Sequence, residues 1–160
     1  MQTADFTQLR EVREATVRFG MPLIVWAYPR GSAMSAKGGN NSFYAVDYAA
    51  RVASELGADI VKLNFPQPEL TTGVREEYAE RFSQQDAMSQ VVRSAGRSLV
   101  LVSGGSMADD DVVLDKARMS MDAGATGLIF GRNVWQRDYD ESLKFAARLR
   151  KLLEGYPSAP

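Results

Sequence analysis

The chain has 160 residues, 45% hydrophobic and 24% charged, with a formal net charge of −1. It therefore suits one domain with its own core, and not an electrostatic nucleic-acid or anionic-membrane binder, which would carry a clustered basic excess. It holds no cysteine and no histidine, which excludes disulfides, thiolate and imidazole metal sites, cysteine nucleophiles and a serine–histidine triad within it.

Taken in order, helical and strand patterns alternate. Thr3 to Phe19 places Phe6, Leu9, Val12 and Phe19 at helical spacing, with Gly20 as the stop. This polar start does not read as a signal peptide, and no apolar run reaches membrane-spanning length, so a cytoplasmic protein is expected and the Asn40-Asn41-Ser42 sequon carries no meaning. Pro22 to Tyr28 reads as a strand ended by Pro29, and a helix is expected from Phe43 to Leu56 between Ser42 and Gly57. The run Asp59-Ile60-Val61-Lys62-Leu63-Asn64-Phe65 is a strand, followed by a helix across Ala87 to Ala95. Ser98 to Val102 is the next strand, Asp109 to Ala123 a helix stopped by Gly124, Thr126 to Phe130 the last strand, and Asp140 to Leu153 the final helix. Four near-continuous apolar strands between helices predict an α/β domain over 1–154, with a parallel sheet covered on both faces. The tail over 155–160 is expected to be disordered. Two long connections, Pro29 to Asn41 and Pro66 to Gln85, follow strand C-termini, where α/β folds bind ligands.

Lys62 stands out because it sits inside an apolar strand. A lysine withdrawn from water is the group that condenses with a carbonyl to form a Schiff base; the alternative is an edge lysine that reaches solvent or pairs with a carboxylate. Alternation puts Trp26 and Tyr28 on one strand face, and Ile60, Lys62 and Asn64 on another, so Tyr28 can approach Lys62 as a proton donor or acceptor or serve as an ordinary core tyrosine. Arg30, just past its strand, suits a phosphate, although many such arginines are simply solvated. Ser103-Gly104-Gly105-Ser106 lets the backbone approach an anion, and Gly131-Arg132-Asn133 forms a second glycine turn at the last strand end. In closed (β/α) barrels the loops after the last two strands commonly form a phosphate site. Together these residues suggest Schiff-base chemistry on a phosphorylated carbonyl compound.

The segments Pro22 to Gly31, Leu56 to Lys62, Val102-Ser103-Gly104-Gly105 and Gly131 to Gln136, in that order, resemble the class I fructose-bisphosphate aldolases of archaeal and bacterial type. The resemblance runs from about Phe6 to Leu153 and implies units of a TIM (β/α)8 barrel. It also implies a metal-free, cofactor-free lyase of glycolysis and gluconeogenesis that cleaves fructose 1,6-bisphosphate to dihydroxyacetone phosphate and glyceraldehyde 3-phosphate. By the same resemblance Lys62 would form the Schiff base, Tyr28 would be the acid/base group and Trp26 would line the site. Ser103, Gly104, Gly105, Gly131 and Arg132 would hold one phosphate and Arg30 the other. Some members carry a second lysine two residues after the first, and here that place is Asn64. The four strands match strands five to eight of the family, whereas a complete barrel has eight in about 250 residues. The expectation is therefore a C-terminal half-barrel, from a truncated reading frame or a fragment, with two sheet edges and lumen-facing side chains exposed. It would associate as a homo-oligomer or with the other half-barrel, or close differently as an open sheet. Other readings are a related Schiff-base aldolase or transaldolase-like synthase acting on another phosphosugar, and an inactive phosphosugar-binding or assembly fragment. The connection from Pro66 to Gln85 resembles the bacterial aldolase branch and favours the sugar bisphosphate.

Overall fold

The computed structural model describes residues 2–79 and 82–157. Its elements are α1 (Gln2–Arg18), β1 (Ile24–Trp26), α2 (Ser32–Ser35), α3 (Phe43–Glu55), β2 (Ile60–Asn64), a 3-10 turn (Pro68–Leu70), α4 (Glu76–Ala79), α5 (Gln84–Ser94), β3 (Leu99–Ser103), α6 (Asp110–Asp122), β4 (Gly127–Ile129), α7 (Arg132–Trp135) and α8 (Tyr139–Leu153). The strands form one parallel sheet in the order β1-β2-β3-β4, as repeated βα units require. The two edge strands keep three residues each, fewer than the apolar runs suggested, because each has a ladder on one side only. The short helices α2, α4 and α7 have no periodic signal in the sequence.

Helix α3 starts where expected: the Ser42 hydroxyl accepts from the Ala45 N–H. Its apolar side, with α5, packs on one face of the sheet. Val61, Leu63, Val100 and Val102 point into that layer and meet Phe43, Val46, Ala50, Met88 and Val91, all buried. At the lower rim the Asp59 carboxylate accepts from the Leu23 N–H and from Arg13 of α1, both at 2.7 Å, and so anchors the first helix. The rest of α1 is loosely held: Val12 and Phe19, expected on its apolar stripe, are exposed.

Cover on both faces of the sheet does not occur among the described residues. Among the described residues helices cover one face, and the other carries Ile24, Trp26, Lys62, Asn64, Leu99, Leu101, Ser103 and Ile129. The register pairs Trp26 with Lys62, Lys62 with Leu101, Asn64 with Ser103, and Ser103 with Ile129. Polar groups there have no hydrophobic layer to enter, which is the arrangement of a barrel lumen and gives the parallel units of a half-barrel. Of the tail, Tyr156 donates to Asp122 at 2.6 Å, and residues 158–160 lie outside the described residues. No helix among the described residues is long and apolar enough to cross a membrane.

Candidate active site

The uncovered face is polar at the strand C-termini, where a cavity of about 590 Å³ opens. It is lined by Tyr28, Arg30, Lys62, Ser103, Gly104 and Gly105, and by Gly131 and Arg132 from the last strand end. Trp26, the remaining residue singled out in the sequence, lies beside this set. Its ring carries the Lys62 ammonium 3.7 Å from the centroid, and the Tyr28 ring centroid is 5.8 Å from the same nitrogen. Val61 and Leu63 are buried in the core, whereas Lys62 is half-buried and faces the cavity. The expectation of a lysine withdrawn into a buried strand is corrected accordingly: alternation turns it toward the open face. Among the described residues its ammonium makes no hydrogen bond or ion pair, so only the two aromatic faces hold it.

A chain of hydrogen bonds crosses the rim. Ser103 Oγ donates to Asn64 Oδ1 at 2.8 Å, and Asn64 Nδ2 donates to Asn41 Oδ1 at 2.6 Å. The Gln67 N–H donates to the Asn41 carbonyl at 2.8 Å, so the connections after β1 and β2 are joined side by side. Asn64 is thus a neutral link between loops, not a second cation. Asn41, Gln67, Lys116 and Trp135 also line the cavity, and sequence reasoning missed all four. Lys116 lies within α6, where a lysine looks like ordinary solvent-facing surface.

The two glycine turns are in contact. A Cβ on Gly104 would lie 2.8 Å from the Phe130 ring and 2.9 Å from Asn133 Nδ2; one on Gly131 would lie 2.5 Å from the Trp135 ring. Only glycine lets the backbone come this close. Gly105, at φ +70°, also occupies the left-handed region, which favours glycine. A nucleophile between aromatic faces, opposite two glycine turns and two arginines, can bind a phosphorylated carbonyl compound and condense with it.

The family described as DeoC/LacD family aldolase matches residues 2–137. The class 1 fructose-bisphosphate aldolase of Halobacterium salinarum is 37% identical over 132 residues, covering 82% of this chain and 43% of that protein. That of Thermoproteus tenax is 36% identical over 151 residues, covering 94% and 49%. The chain thus spans about half the length of the curated relatives it matches. Among solved structures, a crystal structure of an archaeal fructose 1,6-bisphosphate aldolase superposes with a TM-score of 0.76 at 35% identity, over 94% of this chain and 52% of that one. Another archaeal fructose-1,6-bisphosphate aldolase, described with its catalytic lysine covalently bound to the carbinolamine intermediate of the substrate, gives 0.74 at 34%, over 92% and 51%.

Proposed function

This chain belongs to the DeoC/LacD aldolase family, and from that premise we propose that it carries the Schiff-base half of a class I fructose-bisphosphate aldolase site. The observation that carries this reading is the convergence of Lys62, Tyr28 and both glycine turns on one cavity. The Lys62 amine adds to the ketone carbon of the sugar bisphosphate, and the carbinolamine loses water to give the imine. The iminium nitrogen then accepts the electron pair of the cleaved carbon–carbon bond as a base removes the proton of the adjacent hydroxyl. The aldehyde, glyceraldehyde 3-phosphate, leaves. Protonation of the enamine carbon and hydrolysis release dihydroxyacetone phosphate and restore the amine. Tyr28 is the proton-transfer group of this cycle. The cradle of Ser103, Gly104, Gly105, Gly131 and Arg132 takes one phosphate, and Arg30 takes the other.

The activity is expected in the cytoplasm, with the uncovered sheet face closed by a second copy or by the other half of a barrel. Ile24, Leu99 and Ile129 are exposed on that face, which supports a covered state. Light scattering on the purified chain gives the oligomeric state. The uncovered sheet face around Lys62 supports a second reading, a module that binds phosphosugar and forms the imine without turnover. The deciding test is borohydride reduction with dihydroxyacetone phosphate, followed by mass mapping. An adduct on Lys62 that vanishes in Lys62→Ala supports the Schiff base; its absence from a folded chain overturns it. A cleavage assay with fructose 1,6-bisphosphate then separates the working enzyme from the binding module.

A further inference from the structure

The side chain of Asn133 is fully buried and takes part in no step above, yet its three side-chain hydrogen bonds all go to one loop. Its Nδ2 donates to the carbonyls of Gly104 at 2.9 Å and Ser106 at 3.2 Å, and its Oδ1 accepts from the Ala108 N–H at 3.0 Å. Asn133 is itself fixed. Arg137 Nε donates to its carbonyl at 2.6 Å, and the Arg137 guanidinium is paired with Asp110 at 2.5 Å and lies 4.2 Å over the Phe145 ring.

A trans peptide unit points its C=O and its N–H in opposite directions. Drawing the Gly104 carbonyl inward to Asn133 therefore turns the Gly105 N–H outward, and drawing the Ser106 carbonyl inward turns the Met107 N–H outward. Among the described residues neither N–H has a hydrogen-bond acceptor, and Gly104, Gly105, Ser106 and Met107 all line the cavity. We propose that Asn133 is a positioning residue that aims the Gly105 and Met107 N–H groups at the phosphate of the bound sugar, which makes the backbone of Met107 part of the phosphate site. The absent side chain of Gly104 serves the same arrangement, since a methyl there would displace the amide from its carbonyls. Because Asn133 follows β4 while the loop follows β3, the two strand-end turns work as one unit.

This inference rests on reading the cavity as a sugar-phosphate site, and the test separates the two. Dihydroxyacetone phosphate binding is measured by calorimetry, and borohydride trapping rates are measured with unphosphorylated dihydroxyacetone, on the 160-residue chain and on Asn133→Ala, Gly104→Ala and the double variant. The expected result is about a tenfold or greater rise in Kd in each single variant, since two charge-assisted hydrogen bonds lose their aim. Trapping of the unphosphorylated ketone stays within about twofold, and the double variant binds no more weakly than the worse single one, because both act through the same loop. If Asn133→Ala does not fold, the Gly104→Ala comparison of the two ketones decides. A Kd unchanged in the variants, equal losses for both ketones, or additive losses would overturn the role of Asn133. Phosphate binding without imine in the unaltered chain would instead overturn the aldolase reading and leave the positioning role standing.

Discussion

Tyr78→Phe is the sharpest test of how the long connection after β2 is held. Tyr78 in α4 donates its hydroxyl to Asp47 Oδ2 of α3 at 2.5 Å; Asp47 is 4% exposed, and its Oδ1 has no partner among the described residues. The Tyr78 ring packs with its centroid 5.2 Å from those of Phe43 and Tyr44, contacts a phenylalanine keeps. The substitution therefore isolates one hydroxyl and leaves a buried carboxylate with both oxygens unpaired. A hydrogen bond to a charged group contributes about 1.5–3 kcal/mol, and leaving its acceptor buried and unmet pushes the cost to the upper part of that range. With a urea slope of about 2 kcal/mol per molar, the unfolding midpoint should fall by about 1 M. Adding Asp47→Leu should recover at least about half of the loss, because replacing both partners by apolar groups removes the stranded charge. A midpoint shift below about 0.3 M, or a further loss in the double variant, would refute the view that this bond fastens the connection.

The same contact sets the alkaline limit. Burial, and then the bond to Asp47, push the Tyr78 phenol well above its ordinary value of 10.0, and the bond to Asp122, followed by burial, raises Tyr156. Folded values above the unfolded ones give stability that is complete below pH 10 and lost as pH rises toward the folded values. Tyr78 and Tyr156 should thus ionise late in an ultraviolet titration, and the late signal should shrink in Tyr78→Phe. The Leu23 N–H, and then Arg13, lower the Asp59 carboxyl below its usual 3.8. Its contribution is present above that value and lost as pH falls through the lowered one, so Asp59→Asn should flatten the acid limb of a stability profile below pH 4. Gly38→Ala should cost more than about 2 kcal/mol in urea unfolding, since its φ is +93° and the new Cβ would lie 1.6 Å from the Leu70 carbonyl oxygen. A loss under about 1 kcal/mol would mean that the Gly38 and Leu70 segments separate freely.

Period-two alternation was enough to read which side chains of β2 share a face, and glycine turns at strand ends were enough to locate the cavity, because both signals live within a few residues of chain. What covers a face is a different question. Val61 and Lys62 belong to one apolar run, yet one is fully buried under α3 and α5 and the other looks into the cavity, because helices lie on only one side among the described residues. The run alone could not distinguish a strand buried twice from one buried once. The asparagines that tie the site together share a physical character: each acts across the chain. Asn133 reaches back 29 residues to Gly104, and Asn64 joins Asn41 to Ser103 over separations of 23 and 39 residues. Side chains of this kind carry no period and no charge, and the asparagine pair at 40–41 looked like a spent sequon. Their signal is positional: an asparagine one turn beyond a glycine-ended strand can satisfy carbonyls that the neighbouring strand's loop must otherwise leave bare. Where two consecutive βα units both end in glycine turns, the search for a phosphate cradle should therefore include the uncharged amides that follow the second turn, since the backbone N–H groups of the first can be aimed only if something holds their carbonyls.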